Sequence, residues 1–193
     1  MAGSQAIAAT GQAILGLLAD ACPKPEFATA RFELYQSSNF QNPMDEGISL
    51  FLYRIEVNAG LRNVPTNLAF NGERRRPPLP LDLSYVLTAW AKNTVKQQRL
   101  LGWAMRMLED VSVLSAGLLN QYSPERNIFR AHETVELIFQ TLSLQDLSNL
   151  WNIIKANPPT SVTYIARVVG IESEISATEA APVQTREFDL ARK

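Results

Sequence analysis

PPLPLDLSYVLTAWAKNTVKQQRLLGWAMRMLEDVSVL, residues Pro77–Leu114, joins a strand pattern to a helix pattern in one run. In its first half Leu81, Leu83, Tyr85, Leu87 and Ala89 alternate with Asp82, Ser84, Val86 and Thr88, the two-residue period of a strand. In its second half Thr94-x-x-Gln97 has the spacing of a capping box. Leu101, Ala104, Met105 and Leu108 then repeat at i, i+3, i+4 and i+7, which predicts a helix of about four turns with one face on the sheet.

The same alternation extends in both directions. Upstream, Ile7, Gly11, Ile14, Leu15 and Leu18 share one face of an opening helix, which Pro23 and Pro25 follow. Residues 27–36 (FATARFELYQ) read as a half-buried strand, with Ala28, Ala30, Phe32 and Leu34 alternating with Thr29, Arg31, Glu33 and Tyr35. Ile48–Val57 is apolar on both faces in its first half, as in an interior strand. Residues 58–80 are rich in Asn, Gly and Pro, so they form a projecting loop or hide a short strand around Leu68–Phe70.

Downstream, a loop through Gly117 and Pro124 leads to a strand at Val135–Gln140. Ser143-x-x-Asp146 caps a short helix with Leu147, Leu150, Trp151 and Ile154 as its stripe. Val162, Tyr164, Ala166 and Val168 alternate with Thr163, Ile165 and Arg167 in a last strand, and from Glu172 the chain reads as a polar tail. The expected fold class is α/β (α+β): one sheet of about five strands flanked by about three helices.

Composition narrows the function. The chain has 193 residues, 18 Lys+Arg against 19 Asp+Glu, a net charge of −1 and 46% apolar residues. This is one domain of ordinary size without the strong basic charge of a dedicated nucleic-acid binder. The first basic residue is Lys24, so no positive n-region precedes the short apolar run 13–19. A secretory signal or spanning helix is not expected, and synthesis in the cytosol is. A single cysteine, Cys22, and a single histidine, His132, exclude an intramolecular disulfide and leave a His/Cys zinc site short of ligands.

Catalytic patterns find little to use. A Ser-His-Asp arrangement would need His132, which lies in Arg130-Ala131-His132-Glu133 with no Gly-x-Ser-x-Gly elbow in the chain. Cys22 follows a helix C-terminus, where the dipole disfavours a thiolate, so a buried structural cysteine is expected. Gly11-x-x-x-x-Gly16 has Leu17 where a P-loop needs Lys. The conspicuous charge run is Arg74-Arg75-Arg76, a docking patch for an acidic partner, a phosphate-binding site or a solvated loop, although three arginines alone do not supply the basic field that nucleic acids need. Trp90 lies on the polar face of its strand, so it meets a helix on that side or contacts another subunit.

Two blocks carry a family resemblance. One runs from Pro80-Leu81-Asp82-Leu83 through Thr88-Ala89-Trp90-Ala91 to Leu100-Leu101-Gly102 and Ala104-Met105. The other has Leu147, Leu150-Trp151, Ser161-Val162, Tyr164 and Arg167-Val168-Val169. Together they resemble the N-terminal domain of the cap, or tail-terminator, proteins of phage-tail-like contractile injection systems, of the antifeeding-prophage and virulence-cassette type.

The resemblance implies a phage tail-terminator fold with a mixed sheet over residues 1–173, followed by a C-terminal tail or arm at 174–193. It also implies a structural protein, not an enzyme, with no cofactor, no metal and neither nucleic acid nor membrane as partner. Such proteins form a hexameric ring that closes the distal end of the inner tube and contractile sheath. Tube, sheath and a second cap protein are the partners implied, in a particle assembled in the cytoplasm and released from the cell. The candidate contacts are Arg74, Arg75, Arg76, Trp90, Arg186, Phe188 and Leu190. The alternatives are a tail-completion or baseplate adaptor of the same machine, or a small hydrolase using His132.

Overall fold

The computed structural model describes residues 3–62, 76–123, 125, 127–154 and 159–175. Its elements run α1 (Ala6–Ala21), β1 (Arg31–Leu34), a 3-10 turn (Ser37–Gln41), β2 (Gly47–Val57), β3 (Leu79–Trp90), α2 (Thr94–Asp110), β4 (Val113–Ser115), α3 (Ala116–Gln121), β5 (Thr134–Gln140), α4 (Leu144–Ile154) and β6 (Ser161–Ile171). The six strands form one mixed sheet in the order β1-β2-β3-β6-β5-β4. Among the described residues only the β1/β2 pair is parallel.

The alternation in β3 sorts its side chains to two covered faces. Leu81, Leu83, Tyr85, Leu87 and Ala89 meet α1, α2 and α3 in the main core, with Ile14, Leu18, Leu100, Ala104, Leu108 and Leu119. Val86 and Trp90 point the other way, into a smaller cluster with Tyr35, Phe40, Met44, Trp151 and Ile154 beneath the 3-10 turn and α4. The central strand is therefore buried on both sides, which its Ser84 and Thr88 concealed in the sequence.

Several expectations are corrected in detail. The first strand covers four residues rather than 27–36, because Pro23–Ala30 is spent in turns and Phe27 is buried there. Tyr35 is buried and Leu34 is 43% exposed, since β1 is an edge strand whose two faces meet different layers. The cap of α2 is Asn93, one residue before Thr94: its Oδ1 accepts from the amides of Val95 at 2.8 Å and Lys96 at 3.3 Å. Gln97 instead donates to the Ala89 carbonyl at 2.8 Å, tying the helix to the end of β3. The segment read as a loop through Gly117 holds β4 and α3, so the described residues form six strands and four α-helices. Ser143 caps α4 as its spacing implied, accepting from the Asp146 amide at 3.1 Å.

Tyr85 is the largest fully buried side chain, and among the described residues its hydroxyl has no hydrogen-bond partner. Burial pushes its pKa well above the ordinary phenol value. A buried, unpaired hydroxyl costs about 1–3 kcal/mol in mutational series. Tyr85→Phe is therefore expected to hold or raise stability, by about 1 kcal/mol, with a melting temperature up by a few degrees. A fall of several degrees in a thermal melt would show that the hydroxyl is engaged.

Candidate functional site

Two depressions among the described residues bear on function. The first lies at the root of the excursion between β2 and β3. In the β3/β6 pair the register shifts between Leu81 and Leu83, so that Arg167 and Val168 together oppose Asp82. This bulge holds Val168 at φ 64°, a left-handed conformation costly for a β-branched residue. Asp82 fixes it: Oδ1 accepts the Val168 amide at 3.1 Å, and both carboxylate oxygens lie 3.1 Å from the donating Nδ2 of Asn58. One carboxylate thus joins the end of β2, the start of β3 and the bend in β6.

The bulge turns Val168 outward, correcting the expectation that it shares a face with Ala166, and Val169 is buried in its stead. Val168 then lines a depression of about 270 Å³ with Leu61, Pro78, Pro80, Phe129 and Val135. Its rim carries His132, Glu133, Thr134 and Gly170. Beyond β6 the chain is pinned beside this rim: Arg130 pairs with Glu172 at 2.6 Å, and the Arg76 amide donates to the Ile175 carbonyl at 3.3 Å.

The second depression, about 640 Å³, runs under α4, between Phe51, Tyr53 and Arg54 of β2 and Leu150 and Ile153 of the helix. Leu144 and Ile153 of α4 are 86% and 79% exposed, although the helix buries Trp151 and Ile154. Beyond α4 the same face of the sheet is open and charged, carrying Arg54, Glu56, Glu136 and Arg167. Ile55, Val57 and Leu79, at the far end of the other face, are also exposed.

The candidate residues distribute as follows. Arg74, Arg75, Arg186, Phe188, Leu190 and the short strand expected at Leu68–Phe70 lie outside the described residues. Arg76 is exposed at the root of the excursion. Trp90 packs within its own chain against Tyr35 and Phe40, with ring centroids 6.1 Å away in each case. Its Nε1 donates to Ser49 Oγ at 2.8 Å, so it meets the layer on that side. His132 is exposed, and the neighbouring Glu133 carboxylate accepts the Arg130 amide instead of orienting an imidazole as a triad requires. Among the described residues there is no cluster of three or more His, Cys, Asp or Glu arranged to hold a metal, and no helix long and apolar enough to cross a membrane.

The sequence reading missed Asn58, Asp82 and the bulge. The visible cue was a lone carboxylate inside the otherwise apolar Leu79–Leu83 run.

Cys22 is buried and free, and burial, ahead of the nearby Glu46 carboxylate, raises its thiol pKa. Thiolate is the reactive species, so a thiol reagent near neutral pH is expected to modify Cys22 only as fast as the chain unfolds. Rapid labelling of the native chain, followed by mass, would contradict this placement.

The architecture is that of the terminators of contractile injection systems. The sheath/tube terminator of the extracellular contractile injection system PVC, in its extended state, superposes with a TM-score of 0.59 at 17% identity, over 96% of this chain and 63% of that one. The tube-terminating cap of the anti-feeding prophage AFP gives 0.57 at 17% identity, over 93% of this chain and 59% of that one. At these identities the likeness is one of fold, and the chain spans about three-fifths of the length of either structure. Residues 9–185 match the Pvc16 N-terminal domain, and the chain belongs to that family. No curated protein matches it in sequence at a significant level.

Proposed function

We propose that the chain is a structural cap, or tail terminator, whose copies form a hexameric ring closing the distal end of the inner tube and contractile sheath of an injection particle. The observation that carries this reading is the family match over residues 9–185, together with a fold shared with two terminators. A closed ring needs heterologous interfaces and no catalytic centre. Exposed Leu144 and Ile153 on α4, and Ile55, Val57 and Leu79 beside the excursion, supply apolar contact surface suited to such interfaces.

The excursion with Arg74, Arg75 and Arg76 serves as a docking patch for carboxylates of the neighbouring subunit or sheath. The segment Thr185–Leu190, which includes Arg186, Phe188 and Leu190, adds to a sheet edge of a partner. Replacing all three arginines by Ser is expected to abolish sheath attachment in particles purified from producing cells. Unchanged attachment would discard the loop's role. Deleting residues 174–193 is expected to prevent incorporation into particles, and normal incorporation would remove the tail from the contact set.

A further inference from the structure

We propose that, in the free subunit, Phe188 of the chain's own C-terminal segment seats in the depression between Pro80, Val168 and Phe129. The docking is a property of the free chain and does not rest on the cap assignment. The walls of the depression are aliphatic and aromatic, its rim is polar, and its volume of about 270 Å³ suits one aromatic side chain. It exists because the bulge turns Val168 outward, with Asp82 holding a strained backbone in place. Strain maintained by a dedicated hydrogen bond is characteristic of functional sites.

The route of the chain brings this occupant within reach. Gly170 lies on the rim, β6 ends at Ile171, and Glu172 and Ile175 are fastened to Arg130 and Arg76 close by. The described chain therefore ends at Ile175 beside the depression, and Phe188 is the one aromatic residue in the sequence that follows it. The twelve residues Ser176–Glu187 between anchor and ring form a spacer rich in small and polar side chains. A random-coil spacer of twelve residues spans about 20 Å root-mean-square, enough to return to its origin. A tether of that length presents its end at millimolar effective concentration, well above that of a second copy in dilute solution. Arg186, Glu187 and Asp189 flank Phe188 with both signs of charge, and the rim offers His132 and Glu133. A segment held in this way is kept from partners until something displaces it.

The test is disulfide trapping in the full-length chain, with His132→Cys on the rim and Asp189→Cys beside an intact Phe188. Native Cys22 is buried and takes no part. A disulfide forms readily only when the two Cα atoms come within about 7 Å. Under mild oxidation at low protein concentration, the cross-link is expected within single chains, at least tenfold faster than in the same protein carrying Phe188→Ala. Equal rates with and without Phe188 would overturn the proposal. Predominantly intermolecular cross-links would overturn it too, by placing Phe188 on a second copy. Neither outcome bears on whether the chain caps a particle, which is read from the particles themselves.

Discussion

Gly47→Ala is expected to destabilise the chain by about 3 kcal/mol or more and to detach β1 from the sheet. Gly47 opens β2 with φ 146°, in a region that L side chains rarely adopt. It stands opposite Arg31 in the parallel β1/β2 pair. A Cβ there would land on the Arg31 carbonyl oxygen, and it would lie 2.6 Å from both the Arg31 nitrogen and Met44 Sδ. The obstacle is largely backbone of the paired strand, which cannot rotate away. Conformational strain of about 1–3 kcal/mol and a backbone clash therefore add. For a chain of this size the melting temperature is expected to fall by about 6–12 °C. A thermal melt within about 2 °C of the parent would contradict the geometry assigned to this crossing.

The second large effect is expected at Asp82. Asp82→Ala removes the acceptor for the Val168 amide and for the Asn58 side chain. Asn58 is buried, and an unsatisfied buried donor costs about 1–3 kcal/mol; the Val168 amide is exposed and can turn to water, but the bulge loses what restrains its left-handed residue. The expected loss is about 2–3 kcal/mol in denaturant unfolding, with faster amide exchange along Val169–Ile171. Asp82→Asn keeps one acceptor oxygen and should fall between parent and Ala. Val168→Gly in the Asp82→Ala background should recover part of the loss, because glycine adopts φ 64° without penalty. A change of less than about 0.5 kcal/mol for Asp82→Ala would show that the bulge holds itself.

What the sequence revealed followed element length. β3 and α2, of 12 and 17 residues, are long enough for their periods to repeat, and both emerged from Pro77–Leu114 alone. β4 and α3, of three and six residues, bury only Leu114, Ala116 and Leu119 between them, too few positions to define any period. The bulge was invisible for a related reason. Strict alternation assigns Val168 to the face of Ala166, and one extra residue in β6 reverses every assignment after Arg167.

The candidate contacts were legible to different degrees. Trp90 is unusual on a polar face, but its partners Tyr35 and Phe40 come from the connection between β1 and β2, whose placement no local pattern encodes. The depression at Val168 draws on four separate segments, from Leu61 to Gly170, so only tertiary structure assembles it. The membership of the family, by contrast, was carried by two ordered blocks of side chains and needed no geometry.

The central claim is position at the end of a particle. It is tested most directly by tagging this chain in a producing strain, purifying the injection particles and locating the tag by electron microscopy. The account predicts label at the distal end, opposite the baseplate, arranged around a six-fold ring, and irregular particle lengths when the chain is absent. Label at the baseplate end, or particles of normal length and intact sheath without the chain, would contradict it.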